Sequence, residues 1–178
     1  MEYFYHYKLT PEKLNILKTE VDYAVENTQL FVDPVDENIS TQISPQYHFN
    51  DPDGIQYLPM TIQTIGDIVC DSRKVKEHAL SLVSAWTVYG KKGGYHTVHK
   101  HSGQQQNVCT VTYLDVQPEE YPLRNGTFFF FIGGELKEMA PESGDIYIFS
   151  NNMYHGTYPQ DRDHRHTLSM DWHENYIS

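Results

Sequence analysis

The sequence predicts a mainly β fold, a double-sheet jelly roll or small barrel, with helices at its N-terminal end. After Ser84, aromatic and β-branched residues come in about eight short runs, each closed by Gly, Pro or Asn. Helical periodicity occurs only before this point, so we expect helices that buttress one face of the β core. All 178 residues are expected to form one domain, with a helical and irregular part over 1–83 and the β core over 84–173.

The first helix is predicted to begin at Thr10-Pro11-Glu12. A hydroxyl N-cap is followed by Pro at the first helical position and by an acid in the first turn. Apolar residues then recur at helical spacing: Leu14, Leu17, Val21 and Ala24. This pattern predicts a helix over 11–25.

The segment between this helix and the β core carries weaker signals. Asn, Asp, Pro and Ser dominate residues 27–54, which predicts irregular loop with short strands around Leu30-Phe31 and Gln46–Phe49. A second helix is predicted from a cap at Asp71-Ser72 to about Val83.

The predicted strands of the β core are short and closely spaced. They are Trp86–Tyr89, Tyr95–His101, Asn107–Val116, Thr127–Ile132, Glu135–Met139, Asp145–Phe149, His155–Tyr158 and Arg165–Trp172. Turn residues separate them throughout.

Composition excludes several classes of protein. A net charge of −11 disfavours nucleic acid and anionic membranes as partners, because both are polyanions. Two cysteines, Cys70 and Cys109, are too few for a disulfide scaffold and fit a reducing compartment. The N-terminus lacks the pattern of a signal peptide, and the longest apolar run, Phe128–Ile132, is too short to cross a bilayer. We therefore expect a cytoplasmic protein.

Ten residues are histidine, and the segment from Gly93 to His101 places three of them at informative spacing. Side chains at positions i and i+2 of a strand point to one face, so His99 and His101 can direct two imidazoles at one point. His96 has the opposite parity and is expected to face away unless a bulge intervenes. The alternative interpretation is a polar strand face with exposed histidines.

A third candidate ligand, His155, follows the predicted strand Asp145–Phe149 and a short loop. Two ligands on an early strand and one on a late strand can converge only in a closed or sandwiched sheet, which is the predicted fold. Imidazole ligands suit Fe, Zn, Cu or Ni better than Mg or Ca. The sequence therefore predicts a metal site of His99, His101 and His155.

From Ser84 to Trp172 the chain resembles the Fe(II)/2-oxoglutarate-dependent oxygenases, especially small prolyl-hydroxylase-like proteins of bacteria and phages. Five segments carry the resemblance, in order W-T-V-Y-G, G-G-Y-H-T-V-H-K-H, V-T-Y-L-D, P-x-x-G-D-x-x-x-F with His155 behind it, and R-H-T-L-S. The resemblance implies a double-stranded β-helix core, bound Fe(II), and 2-oxoglutarate as co-substrate. It also implies oxidation of a substrate C–H bond to an alcohol, with decarboxylation of 2-oxoglutarate to succinate.

The resemblance also implies which residues hold 2-oxoglutarate. Arg165 lies ten positions after His155, where the family has a basic residue for the distal carboxylate, and a guanidinium can grip a carboxylate bidentately. Thr167 is on the same strand face and offers a hydroxyl. Tyr113 matches a family position whose phenol helps to hold the same carboxylate.

The chain departs from the family at one ligand. The family pattern is H-x-D/E, but this chain has His101 at the acidic position, so three neutral ligands replace two histidines and a carboxylate. An acid from elsewhere, Asp115 or Glu119 for example, is the alternative to His101.

Two other functions stay open on the sequence. Gly93 followed by five residues and H-x-H fits a first cupin motif, with a Gln at 104–106 near the place of its Glu, and a cupin would use no 2-oxoglutarate. The second alternative is a non-enzymatic jelly-roll binding module. As an enzyme, the chain is expected to act on a small molecule or peptide, and a homo-oligomer is compatible with the sequence.

Overall fold

Two antiparallel β-sheets lie face to face, with α-helices behind the larger one. The computed structural model describes residues 2–27, 31–32, 44–49, 52–101, 107–116, 125–163 and 165–175. The larger sheet has the spatial order β1 (Phe4–Lys8), β9 (Asp145–Ser150), β6 (Val108–Asp115), β11 (Arg165–Glu174), β4 (Leu80–Gly90), β3 (Gln46–His48) and β2 (Phe31–Val32). The smaller sheet has the order β5 (His96–His99), β10 (His155–Thr157), β7 (Phe128–Ile132) and β8 (Glu135–Met139). The predicted mainly β jelly roll with N-terminal helices is confirmed.

The first predicted helix is α1 (Pro11–Asn27), which confirms the expected start and ends slightly later than expected. Thr10 caps it, since its Oγ1 accepts a hydrogen bond of 3.3 Å from the backbone N–H of Lys13. Its buried residues, Leu17, Val21 and Ala24, belong to the apolar core behind the larger sheet.

The prediction of a second helix over about 71–83 is wrong. The helix is α3 (Pro59–Arg73), so Asp71 and Ser72 lie in its last turn, and a 3₁₀ turn (Glu77–Ala79) leads directly into β4. The start of α3 lacks a local cap: Glu20 of α1 accepts hydrogen bonds from the backbone N–H groups of Met60 and Thr61, at 3.1 and 2.8 Å. The capping carboxylate is distant in sequence, so the local signals for the start of this helix are limited to Pro59 in its first turn.

The N-terminal part supplies strands as well as buttressing helices. The expected short strands near residues 30 and 46 exist as β2 and β3, and a short helix, α2 (Pro52–Ile55), follows them. The strand β1, which the sequence pattern did not predict, pairs with β9 at the opposite edge of the sheet. Assignment of the whole chain to a single domain stays a prediction. No helix within the described ranges is long and apolar enough to cross a membrane.

One face of the larger sheet packs on the helices and the other faces the smaller sheet, as the alternation of side chains along β11 shows. Leu168, Met170 and Trp172 point to the helices and are buried in the core behind the sheet. The alternate residues point to the smaller sheet, in the order Arg165, Thr167, Ser169 and Asp171. The space between the sheets therefore receives polar side chains.

Candidate metal centre

A cavity between the two sheets contains the candidate site. Its walls include His99, His101 and His155 as well as Arg165. The strand β11 runs from Arg165 to the three histidines. Arg165 lies at the start of the strand, and Asp171, which contacts His101, lies six residues further along. At roughly 3.3 Å per residue, the Cα atoms of Arg165 and Asp171 are about 20 Å apart.

The three predicted histidines converge. His99 of β5 and His155 of β10 are direct cross-strand partners with ring centroids 4.3 Å apart. His101 follows β5, and its backbone N–H donates a 2.9 Å hydrogen bond to the carbonyl of Asn151. Its ring centroid lies 5.3 Å from that of His155, and one candidate ligand atom from each histidine lies within 4.8 Å of the others.

Outer hydrogen bonds fix the orientation of all three imidazoles. Nδ1 of His99 lies 2.8 Å from the carbonyl oxygen of Thr97, and Nδ1 of His155 lies 2.9 Å from that of Met153. Nδ1 of His101 lies 3.0 Å from Oδ1 of Asp171. Since carbonyl and carboxylate oxygens only accept, each Nδ1 carries a proton, and in the neutral ring Nε2 then keeps a lone pair. This tautomer is the one that a metal requires, so the donor set fits a transition metal such as Fe, Zn, Cu or Ni.

Burial also keeps two of these histidines, His99 and His155, in the neutral form that can bind a metal. It lowers the pKa of His155 from 6.5 to about 3, with a further decrease from the neighbouring histidines. Burial likewise lowers the pKa of His99.

The stability of the metal-free protein is expected to fall as the pH decreases through 6.5, the pKa of an unfolded histidine. Below this pH the unfolded state takes up protons, whereas buried His155 stays neutral until its folded pKa of about 3. The contribution of one such residue is about 2 kcal/mol between about pH 7.5 and pH 5. Urea unfolding at several pH values measures the effect.

His155→Gln should reduce this pH dependence by the share of one histidine, and His78→Gln, on an exposed residue of the 3₁₀ turn, should leave it as in the wild type. Equal pH dependence in His155→Gln and the wild type would contradict the expectation.

A β-bulge in β5 places a fourth histidine, His96, in the wall of the cavity. The pairs His155↔His99 and Thr157↔His96 place two steps of β10 opposite three steps of β5. The extra residue reverses the parity expected for His96, which lines the cavity with its ring centroid 5.9 Å from that of His99. Burial lowers the pKa of His96 to about 4.

The arginine and tyrosine expected to hold a carboxylate lie side by side. Arg165 Cζ is 5.1 Å from the centroid of the Tyr113 ring, and Thr167 is the cross-strand partner of Tyr113. Nε of Arg165 and the hydroxyl of Tyr113 are buried, with no hydrogen-bond partner in the described part of the chain. Burial raises the pKa of Tyr113 to about 12, so its phenol remains a donor. Two adjacent buried donors without acceptors are what a carboxylate ligand would satisfy.

Gly126 leaves room for the guanidinium of Arg165. Its φ is +57°, and a Cβ built on it would overlap Nη1 of Arg165. Both the backbone conformation and the close approach therefore require glycine here.

Of the two acids considered as alternatives to His101, the structure describes only Asp115, which is paired elsewhere. Asp115 forms a 2.9 Å ion pair with Lys18 of α1, and Glu119 lies outside the described residues, as does the Gln segment 104–106 of the cupin alternative. The buried acid that contacts His101 is Asp171, which was not among the residues predicted from the sequence. Strict alternation from Arg165 along the predicted strand would have placed Asp171 on the cavity face.

No protein-family model and no curated protein matches the chain. Among solved structures, a prolyl-4-hydroxylase from Pseudomonas putida aligns with a TM-score of 0.72 and 16% identity, over 96% of this chain and 92% of that one. A 2OG-Fe(II) oxygenase family oxidoreductase from Burkholderia pseudomallei aligns with a TM-score of 0.63 and 13% identity, over 96% and 84%. A Trichoplax adhaerens prolyl hydroxylase in complex with a hypoxia inducible factor peptide fragment gives 0.67 and 11%, over 96% and 83%. The double-stranded β-helix fold implied by the resemblance is thereby confirmed, with helices at the N-terminal end.

Proposed function

We propose that the chain is an Fe(II)- and 2-oxoglutarate-dependent dioxygenase that hydroxylates a small-molecule or peptide substrate. When bound, Fe(II) supplies the redox chemistry that couples decarboxylation of 2-oxoglutarate to succinate with oxidation of a C–H bond. The observation that carries this proposal is the pairing, in one cavity, of three imidazoles preset for a metal with two unpartnered donors preset for a carboxylate. The fold shared with oxygenases supports it.

Each side chain has a defined task in this proposal. Nε2 of His99, His101 and His155 would hold the metal, and the Nδ1 partners keep the three rings from rotating. Arg165 and Tyr113 would hold the distal carboxylate of 2-oxoglutarate, and the hydroxyl of Thr167 lies on the same face. Phe128 and Phe149 line the cavity beside the histidines and exclude water there.

The two alternatives leave observations unexplained. A cupin that uses no 2-oxoglutarate gives no reason for the buried, unpartnered Nε of Arg165. A non-enzymatic module gives no reason for three histidines whose Nδ1 atoms are all paired on the outer side of one cluster. A cytoplasmic location and the oligomeric state stay predictions.

The experiment uses untagged protein reconstituted with Fe(II) under anaerobic conditions. Conversion of 2-oxoglutarate to succinate is then measured in air with ascorbate and a substrate panel that starts with proline-containing peptides, since two of the similar structures are prolyl hydroxylases. We expect succinate formation that depends on Fe(II) and increases with the correct substrate. Stoichiometric metal binding without any 2-oxoglutarate turnover or binding would favour the cupin alternative, and a lack of metal binding would favour the binding module.

Gly126→Ala is expected to weaken binding of N-oxalylglycine, an unreactive analogue of 2-oxoglutarate, by about 10-fold or more, because the new methyl group displaces the guanidinium of Arg165. Calorimetry with the metal-loaded protein measures the affinity. Gly133→Ala is the matched control: its φ is +59°, but its Cβ meets no atom within 4 Å. Both variants carry a similar backbone strain, so an equal loss of affinity in the two would contradict a role of Arg165 in binding.

A further inference from the structure

Asp171 is a buried carboxylate that contacts His101, one of the three candidate metal ligands. It is 4% exposed and lies on the cavity face of β11. Its Oδ1 and Oδ2 lie 3.0 and 3.2 Å from Nδ1 of His101, so the imidazole faces both oxygens. Ser84 Oγ donates a further hydrogen bond of 3.3 Å to Oδ2.

The three histidines differ in the charge of their outer partners. His99 and His155 donate to neutral backbone carbonyls, whereas His101 donates to a carboxylate. A charge-assisted hydrogen bond is roughly twice as strong as a neutral one and draws the Nδ1 proton further from the ring. The ring of His101 therefore becomes the most electron-rich of the three, and its Nε2 the strongest donor.

Cys109 does not replace Asp171 as the hydrogen-bond partner of His101 Nδ1. Its Sγ lies 3.4 Å from Nδ1 of His101, and burial together with the charge of Asp171 raises the pKa of the thiol. The sulfur of the protonated thiol is only a weak acceptor, so within this buried group the carboxylate is the acceptor that matches the imidazole N–H.

We propose that Asp171 is a positioning residue that delivers negative charge to the metal centre through His101, and so offsets the absence of an acid among the ligands. This inference rests on the proposed metal site and assigns the charge to a residue one hydrogen bond behind it. In this proposal a carboxylate contributes negative charge to the metal centre without coordinating the metal itself.

The test compares Asp171→Asn with Asp115→Asn. Asparagine keeps the size of the side chain and an acceptor oxygen but removes the charge. Asp115 is a matched control because it lies on the neighbouring strand β6 and its carboxylate pairs with Lys18 instead of a histidine. Competition with a chelator measures Co(II) affinity of the otherwise metal-free proteins, and ¹⁵N NMR of the histidine rings reports the tautomer of His101.

We expect Asp171→Asn to bind Co(II) about 10- to 100-fold more weakly and to lose part of the Nδ1–H tautomer of His101, with Asp115→Asn equal to the wild type. Circular dichroism checks that each variant is folded. Wild-type affinity and an unchanged tautomer in Asp171→Asn would overturn the inference while leaving the metal site intact. Failure of the wild type itself to bind Co(II) would overturn the proposed function and this inference with it.

Discussion

Replacing Arg165 with alanine is expected to weaken the binding of 2-oxoglutarate and N-oxalylglycine by more than about 100-fold. Hydrogen bonds to charged groups contribute about 1.5–3 kcal/mol each, and a guanidinium can form two with one carboxylate. Each 1.4 kcal/mol corresponds to about 10-fold in affinity, so the loss of both bonds exceeds two orders of magnitude. Calorimetry and thermal-shift titration with N-oxalylglycine, on metal-loaded protein, measure the effect.

The stability of the Arg165→Ala variant separates a ligand-binding arginine from a structural one. Because Nε of Arg165 is buried without a partner, its removal should leave the free energy of unfolding of the ligand-free protein unchanged or increased. Arg162→Ala is the control, since Arg162 is also close to β11 but lies beside Asp161 at 3.8 Å and outside the cavity walls. Unchanged N-oxalylglycine affinity in Arg165→Ala, or an equal loss in both variants, would contradict the assignment.

Replacing His155 with alanine is expected to reduce the affinity for Fe(II) or Co(II) by more than about 100-fold. Removal of a residue that only supports a ligand already costs 10- to 100-fold, and the loss of a ligand itself costs more. His155 is also the most central of the three, since its ring is 4.3 Å from that of His99 and 5.3 Å from that of His101. Chelator competition under anaerobic conditions gives the affinity.

His96→Ala provides the matched control for this prediction. Both residues are histidines of the same cavity with pKa values lowered by burial, but His96 is absent from the group whose ligand atoms lie within 4.8 Å of one another. We expect His96→Ala to retain metal affinity within a few-fold of the wild type. A similar loss in both variants would contradict the predicted ligand set and show that a different set of histidines holds the metal.

The parts of the site that could be predicted from sequence are those set by strand periodicity. The H-x-H spacing placed His99 and His101 together because both face inward across a regular two-residue step. His96 could not be placed in the same way, because a bulge in β5 changes the face of the sheet to which its side chain points. No residue type in this segment indicates the bulge.

The features that the sequence did not predict depend on contacts between distant segments. The helix α3 receives its cap from Glu20 of α1, so no local side-chain cap accompanies Pro59 in its first turn. The edge strand β1 carries four exposed residues out of five and lacks the apolar–polar alternation of a half-buried strand. The role of Asp171 depends on its short distance to His101, which follows a strand of the other sheet and is 70 residues away in sequence.

Placement of Arg165 and Asp171 on one continuous strand has a consequence for how this chain can vary in length. Because side chains alternate, deletion or insertion of a single residue between them would turn one of the two toward the helices and into the apolar core. One end of the cavity would then lose its polar side chain while the other end kept its own, so a single change of length would disable the site. We therefore expect β11 to keep its length among descendants of this chain, and changes of length to accumulate in the connections between strands.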